Sequence, residues 1–288
     1  RAVSNSDTYW VIGVNAGQRD QALTRNYTYL PSPYQSEVNT THYAAFGERV
    51  FDLSHQFALR TGARLEQYNA DYQDSDSNVG SHDDLMWGLK LGLEYRAQDQ
   101  LTFISLSRGF KAGGFNSSTE LPEPLKAFSD ESLWAIDVGV KGQLAESLSY
   151  ATTLFYQYRN DAQVKASRLV PRADGSTQFI DFIDNSASAT SYGLETELTH
   201  QTPGSLLSYI NLGFLKTQLN ETGASFDGRE LAHAPVYSGE VGLDYSITDR
   251  WAMNLNVTVK DEFYFSNRHD TQSDAYALLN AAISYQTS

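Results

Sequence analysis

The sequence predicts an all-β fold, an antiparallel up-and-down transmembrane β-barrel with about twelve strands present in this chain, and three observations carry that reading. Apolar and polar residues alternate with period two along most of the chain. The connections between alternating runs are in turn short and long. The apolar faces end in aromatic residues and are aliphatic in between.

The alternation is clearest at Trp251, Met253, Leu255, Val257 and Val259, which oppose Ala252, Asn254, Asn256, Thr258 and Lys260. Successive side chains of a strand point to opposite faces, so this run has one apolar and one polar face. The same split separates Trp87, Leu89, Leu91 and Leu93 from Lys90, Gly92 and Glu94. It separates Trp134, Ile136 and Val138 from Asp137, Gly139 and Lys141, and Tyr192, Leu194 and Leu198 from Gly193, Glu195 and Glu197. The strands fall at roughly 8–16, 39–51, 56–72, 83–96, 100–112, 132–144, 147–160, 188–200, 205–217, 234–246, 250–262 and 274–285. The second and fifth alternate poorly.

Short turns lie near Asp52–His55, Ala97–Asp99, Ala145–Glu146, Gln201–Gly204 and Thr248–Asp249. Long polar loops are expected near 17–38, 73–82, 113–131, 161–187, 218–233 and 263–273. A meander places all short turns at one end and all long loops at the other, as in outer-membrane barrels with short periplasmic turns and long extracellular loops.

Alternation alone does not say which face is inside. A soluble sandwich or propeller also alternates, but it must explain strands of about 12 residues where 5–6 is usual. The aromatic placement separates the two. Phe57, Tyr95, Tyr150, Tyr245, Trp251 and Tyr285 sit near the short turns. Trp87, Trp134, Tyr156, Tyr158, Tyr192 and Tyr237 sit near the long loops. Two aromatic belts around an aliphatic band match a bilayer.

Composition narrows the function. The chain has 288 residues, no Cys and a net charge of −14. Thiol chemistry and disulfides are excluded, and the charge disfavours nucleic acid, which needs clustered Lys and Arg. No run reaches the roughly 18–20 apolar residues of a transmembrane helix, the nearest, Leu85 to Leu93, being broken by Lys90. No enzyme motif is present, the six His are scattered, and neither a cofactor nor a catalytic residue is expected. Asp74-Ser75-Asp76-Ser77-Asn78-Val79-Gly80 begins like a calcium loop, but Gly80 falls one place late and Leu85 occupies the closing Glu position, so no metal site is assigned. Glu195 and Glu197 read as a hydrated polar wall.

Ser107-Arg108-Gly109-Phe110-Lys111-Ala112-Gly113-Gly114-Phe115-Asn116 resembles a characteristic segment of TonB-dependent receptors of the siderophore-receptor type. The same holds of Asp137-Val138-Gly139-Val140-Lys141-Gly142, Leu154 to Asp161, Asn185 with Ser191-Tyr192-Gly193-Leu194-Glu195, and Tyr276-Ala277-Leu278-Leu279-Asn280-Ala281. These segments occur in the family's order and span essentially the whole chain. The resemblance implies a plugged barrel of about 22 strands, of which residues 1–288 would be a later-middle part. An N-terminal plug domain with its TonB-binding segment, and closing C-terminal strands, would lie outside this chain. It implies a location in the outer membrane of a Gram-negative bacterium, contact with outer-membrane lipid, TonB as a partner through the absent N-terminal region, and active uptake of a scarce nutrient such as a ferric siderophore. A passive porin or adhesin-type barrel is the alternative. Arg108 and Lys111, where the strand leaves the membrane, are read as a lumen-rim charge and the start of a Gly-rich loop.

Ligand-binding candidates come from two loops. The first carries Lys165, Arg168 and Arg172; the second carries Phe263, Tyr264, Phe265, Arg268 and His269. Cations beside aromatic rings suit an anionic, aromatic iron chelate. Ordinary loop decoration and lipopolysaccharide contact are the competing readings.

Overall fold

The structure is a computed structural model that describes residues 9–27, 30–119, 121–171, 175, 177–221 and 226–287. Twelve strands form one antiparallel sheet. In sheet order they are β1 (Trp10–Arg25), β2 (Tyr34–Asp52), β3 (Phe57–Asp74), β4 (Val79–Arg96), β5 (Gln100–Lys111), β8 (Glu131–Ala145), β9 (Leu148–Pro171), β10 (Thr177–Gln201), β11 (Leu206–Asn220), β12 (Tyr237–Ser246), β13 (Trp251–Lys260) and β16 (Tyr276–Tyr285). Two small hairpins decorate it, β6 (Gly114–Phe115) with β7 (Ala127–Phe128), and β14 (Phe263–Tyr264) with β15 (Gln272–Ser273). The only helical element among the described residues is the 3-10 turn Glu123–Leu125. Every sheet neighbour is the previous or next long strand in the chain, so the sheet is a meander. Among the described residues β1 and β16 do not pair, and the sheet stays open.

The register settles the faces. Arg60, Arg64, Glu66, Ala70, Tyr72 and Asp74 alternate along β3 and pair with Gly92, Gly88, Met86, His82, Gly80 and the turn of β4. A β-carbon on Gly80 would meet the Phe115 ring at 2.7 Å. The β5–β8 connection therefore folds over this polar face, which is the inner one. The opposite face is apolar and uncovered: Leu154 is 57%, Val241 54% and Leu279 69% exposed. None of the described residues shields it, so lipid must. At one margin of the uncovered face Phe57 meets Tyr95 at 5.1 Å and Trp251 meets Tyr285 at 4.8 Å. At the other, Trp87 meets Trp134 edge-on at 5.9 Å.

The inner face has its own device. Phe46 lies across from Gly13, Phe103 from Gly139, Phe155 from Gly193 and Tyr209 from Gly242. In each pair the ring occupies the space a β-carbon on the glycine would need, at 2.3 to 2.8 Å. Rings that would otherwise stand in water lie flat against the wall over exposed backbone.

Three loop expectations are corrected: residues 73–82 hold only a tight turn, because β3 runs to Asp74 and β4 begins at Val79. Residues 17–38 and 161–187 are largely strand: β1 and β2 continue to Arg25 and from Tyr34, and β9 and β10 continue to Pro171 and from Thr177. These extensions stand beyond the aromatic margin, where both faces are wet. Ladder hydrogen bonds persist there while apolar alternation, which lipid imposes, does not. A bulge also flips the face parity. Asp161 adopts φ 51°, and the β9–β10 register shifts between Asp184 and Ala189.

Candidate functional site

The long-loop end is organised by polar side chains held in two clusters. In the first, Asp74 closes the β3–β4 turn by accepting from the Asp76 and Asn78 backbone N–H groups, both at 3.0 Å. The same carboxylate accepts from Tyr72 at 2.7 Å and Lys126 at 2.8 Å, and Tyr34 donates to it at 3.2 Å. The calcium-like segment is thus a closed turn whose carboxylate is fully occupied by protein donors. Burial pushes the Asp74 carboxyl up, but the bonds from Lys126, Tyr72 and Asn78 outweigh it and hold it well below the usual carboxylate range. Burial pushes the Tyr34 phenol up to about 12.

This cluster pins the β5–β8 connection to the wall on one side, and two asparagines pin it on the other. The Asn116 amide donates to the Leu125 and Ile183 carbonyls at 2.9 and 2.8 Å and accepts from the Ile183 N–H at 2.8 Å. The Asn185 amide donates to the Asp161 carbonyl at 2.7 Å and accepts from the Ser129 N–H at 2.8 Å. Leu121 packs against Ile180, Phe182 and Ala166 beneath. Gly113, Gly114, Phe115 and Asn116 of the family-like segment are therefore structural. Phe115 stacks on Tyr72 at 5.1 Å. Lys111 pairs with Glu131 in the ladder. Arg108 corrects an expectation: its register partners are Leu89 and Trp134, on the outward face, so it is no lumen-rim charge.

The second cluster joins the two predicted loops. Arg268 donates from Nε to the Lys165 carbonyl at 3.3 Å and pairs with Glu221 at 3.0 Å. Lys165 pairs with Asp181 at 2.8 Å and holds that carboxyl below its usual range. Arg168 stands exposed on the inner-facing side of the same hairpin, across from Ile180. Arg172 lies outside the described residues. Phe263 contacts Phe265 at 5.7 Å and His233 at 5.6 Å, while Phe265 and His269 remain exposed.

Arg229, not among the residues the sequence points to, organises this loop. Its guanidinium lies 3.8 Å from the Tyr264 ring centre and 4.7 Å from that of Phe226, and it donates to the His269 carbonyl at 2.7 Å and Asp270 at 3.0 Å. Tyr264 is thereby committed to protein. Nothing local in the sequence marks Arg229, whereas Tyr72-x-Asp74 on one strand face is a readable sign of a polar cluster.

The inner wall below is electrically uneven. Around β2–β4, Arg60 is held between Glu48 and Glu94, and Arg96 reaches Asp52 at 3.1 Å. Lower on β8 to β12, three inner carboxylates meet neutral groups instead: Asp137 with Ser105 at 3.0 Å, Glu240 with Tyr209 at 2.9 Å and Asp244 with Asn254 at 2.7 Å. An anion would be repelled by those carboxylates.

Comparison with known proteins agrees with this architecture. The family model described as TonB dependent receptor-like, beta-barrel matches residues 3–288. The iron-regulated outer membrane virulence protein of Vibrio cholerae serotype O1 is 26% identical over 280 residues, covering 87% of this chain and 39% of that protein. The ferric yersiniabactin uptake receptor FyuA of Yersinia pestis superposes with a TM-score of 0.82 at 17% identity, over 99% of this chain and 45% of that one. The copper transporter OprC superposes at 0.73 with 15% identity, over 99% and 47%. The chain thus spans less than half the length of these relatives. A matched family model over nearly every residue, together with a lipid-facing meander whose loops sit at one end, establishes that this chain belongs to the TonB-dependent receptor family and forms β-barrel wall of the Gram-negative outer membrane.

Proposed function

We propose that the protein to which this chain belongs takes up a ferric siderophore actively, with a plug domain and TonB coupling transport to inner-membrane energy. The observation that carries the reading is the convergence of the two predicted loops. Arg268 bonds to Lys165 across the gap between them and so sets the exposed cation Arg168, the exposed ring Phe265 and His269 on one joined structure. Cations and aromatic rings on a rigid scaffold suit a planar anionic chelate. The iron-regulated relative and the ferric yersiniabactin receptor support the same cargo class.

The test is uptake of radiolabelled ferric chelates by cells carrying the full-length receptor under iron limitation, with and without a protonophore. Uptake that stops with the protonophore supports the proposal. Uptake that continues unchanged would mean a passive barrel, and growth without chelate uptake would mean another cargo.

A further inference from the structure

Arg108 is a cation on the lipid-facing side of the wall. Its ladder neighbours are Leu89 on β4 and Trp134 on β8, and Trp134 in turn pairs with Tyr158 on β9. Trp87, Trp134 and Tyr158 belong to the aromatic margin next to the long loops, the depth of the outer-leaflet headgroups. The guanidinium carbon lies 4.1 Å from the centre of the Trp87 ring, and Nη1 donates to the Trp87 carbonyl. The arginine is therefore held over one indole and beside a second, not free to sweep.

Among the described residues no carboxylate lies within ion-pair distance of Arg108. Lys216, another outward-facing cation near this margin, is paired with Glu230. A charge at the edge of hydrocarbon is costly unless it reaches the interface or a partner. A guanidinium has five N–H donors in a planar fork, and here the protein takes few of them. Its open edge matches the oxygens of a phosphate, which it can grip with two parallel hydrogen bonds.

We propose that Arg108, oriented by Trp87 and Trp134, binds a phosphate of the outer-leaflet glycolipid and so fixes the barrel to its annular lipid. The site is independent of the cargo reading, because it lies on the other face of the wall.

The experiment is native mass spectrometry of the full-length receptor equilibrated with bisphosphorylated lipid A or with the same lipid stripped of phosphate. Folding of each variant is checked by heat-modifiable gel mobility. The wild type is expected to retain the phosphorylated lipid at least fivefold more than the stripped one. R108Q should bring that ratio close to one. R108K keeps the charge but not the fork or the stacking plane, and should fall at least twofold below wild type; it decides the matter alone if R108Q does not fold. A wild type without phosphate preference, or R108K with the full wild-type ratio, would overturn the proposal.

Discussion

Lys126 Nζ lies 2.8 Å from the Asp74 carboxylate, and the two side chains are 7% and 0% exposed. The pair ties the β5–β8 connection to the tip of the β3–β4 hairpin. Removing one partner of a buried pair strands the other charge, at a cost of about 3–5 kcal/mol. D74A should therefore detach residues 112–130 locally while leaving the membrane-spanning ladders intact. Hydrogen exchange is expected to rise in that segment and stay flat in β11–β13. Uniform exchange across the barrel would contradict this.

The same pair has a pH signature. The folded Asp74 carboxyl titrates below its unfolded value of about 3.9, so its stabilisation is fully present above that pH and is lost only as pH falls further. The segment should stay anchored from about pH 8 to 5 and loosen below about pH 4. Exchange rates at pH 7, 5 and 3.5, corrected for intrinsic chemistry, measure it. Loosening already at pH 6 would implicate a different group.

The face assignment predicts an asymmetry between adjacent residues. Leu255 pairs with Leu243 and Ala281 on the outward face, while Asn256 donates no charge and accepts from Asn280 at 2.8 Å on the inner face. L255R near the midplane should cost about 2–4 kcal/mol. N256R should cost well under half of that, because the inner wall is wet. Folding titrations into lipid vesicles compare them, and equal costs would reverse the faces.

The glycine and ring pairs respond differently to a methyl group. A β-carbon on Gly193 would lie 2.1 Å from the Phe214 carbonyl oxygen, which is backbone and cannot withdraw. One on Gly139 meets only the far edge of the Phe103 ring, at 2.3 Å, and then Thr153 Oγ1 at 3.1 Å. G193A should therefore lose about 1–3 kcal/mol, and G139A less, with Phe103 swinging toward the lumen. Thermal unfolding of both variants is the measurement.

Where lipid selects the side chains, the fold was legible: the ten clear strands and the two aromatic margins follow from period two. The two poorly alternating strands were present as well, and their irregularity has a local cause. Phe46 and Phe103 are inner-face rings lying over glycines, and Arg108 is an outer-face cation sharing Trp87. What stayed illegible lies beyond the membrane. There β9 and β10 continue through bulges at Asp161 and Asp184–Ala189 that invert the pattern. The loop cations were legible as types, but their roles depend on contacts 40 to 103 residues apart, such as Arg229 with His269 and Arg268 with Lys165. No local pattern encodes those.

Those long-range contacts divide the predicted cations into two kinds. Arg268 is neutralised by Glu221 and bonded to the Lys165 carbonyl, so it positions the joint between the loops. Arg168 is exposed, with no carboxylate within ion-pair distance among the described residues, and it is free to meet an anion. R168A should weaken binding of an anionic ferric chelate and make the remaining affinity less sensitive to salt, since exposed charges are screened at about 8 Å in physiological salt. R268A should act instead through geometry, raising protease cleavage in 261–275. R229A should do the same more strongly, because it also uncovers Tyr264 and Phe226. The double variant R168A with R268A is expected to lose at least tenfold in affinity, about 1.4 kcal/mol. Binding is measured by fluorescence quenching on the full-length receptor at low and high salt. Full affinity in the double variant would remove these loops from the recognition site while leaving family and fold untouched.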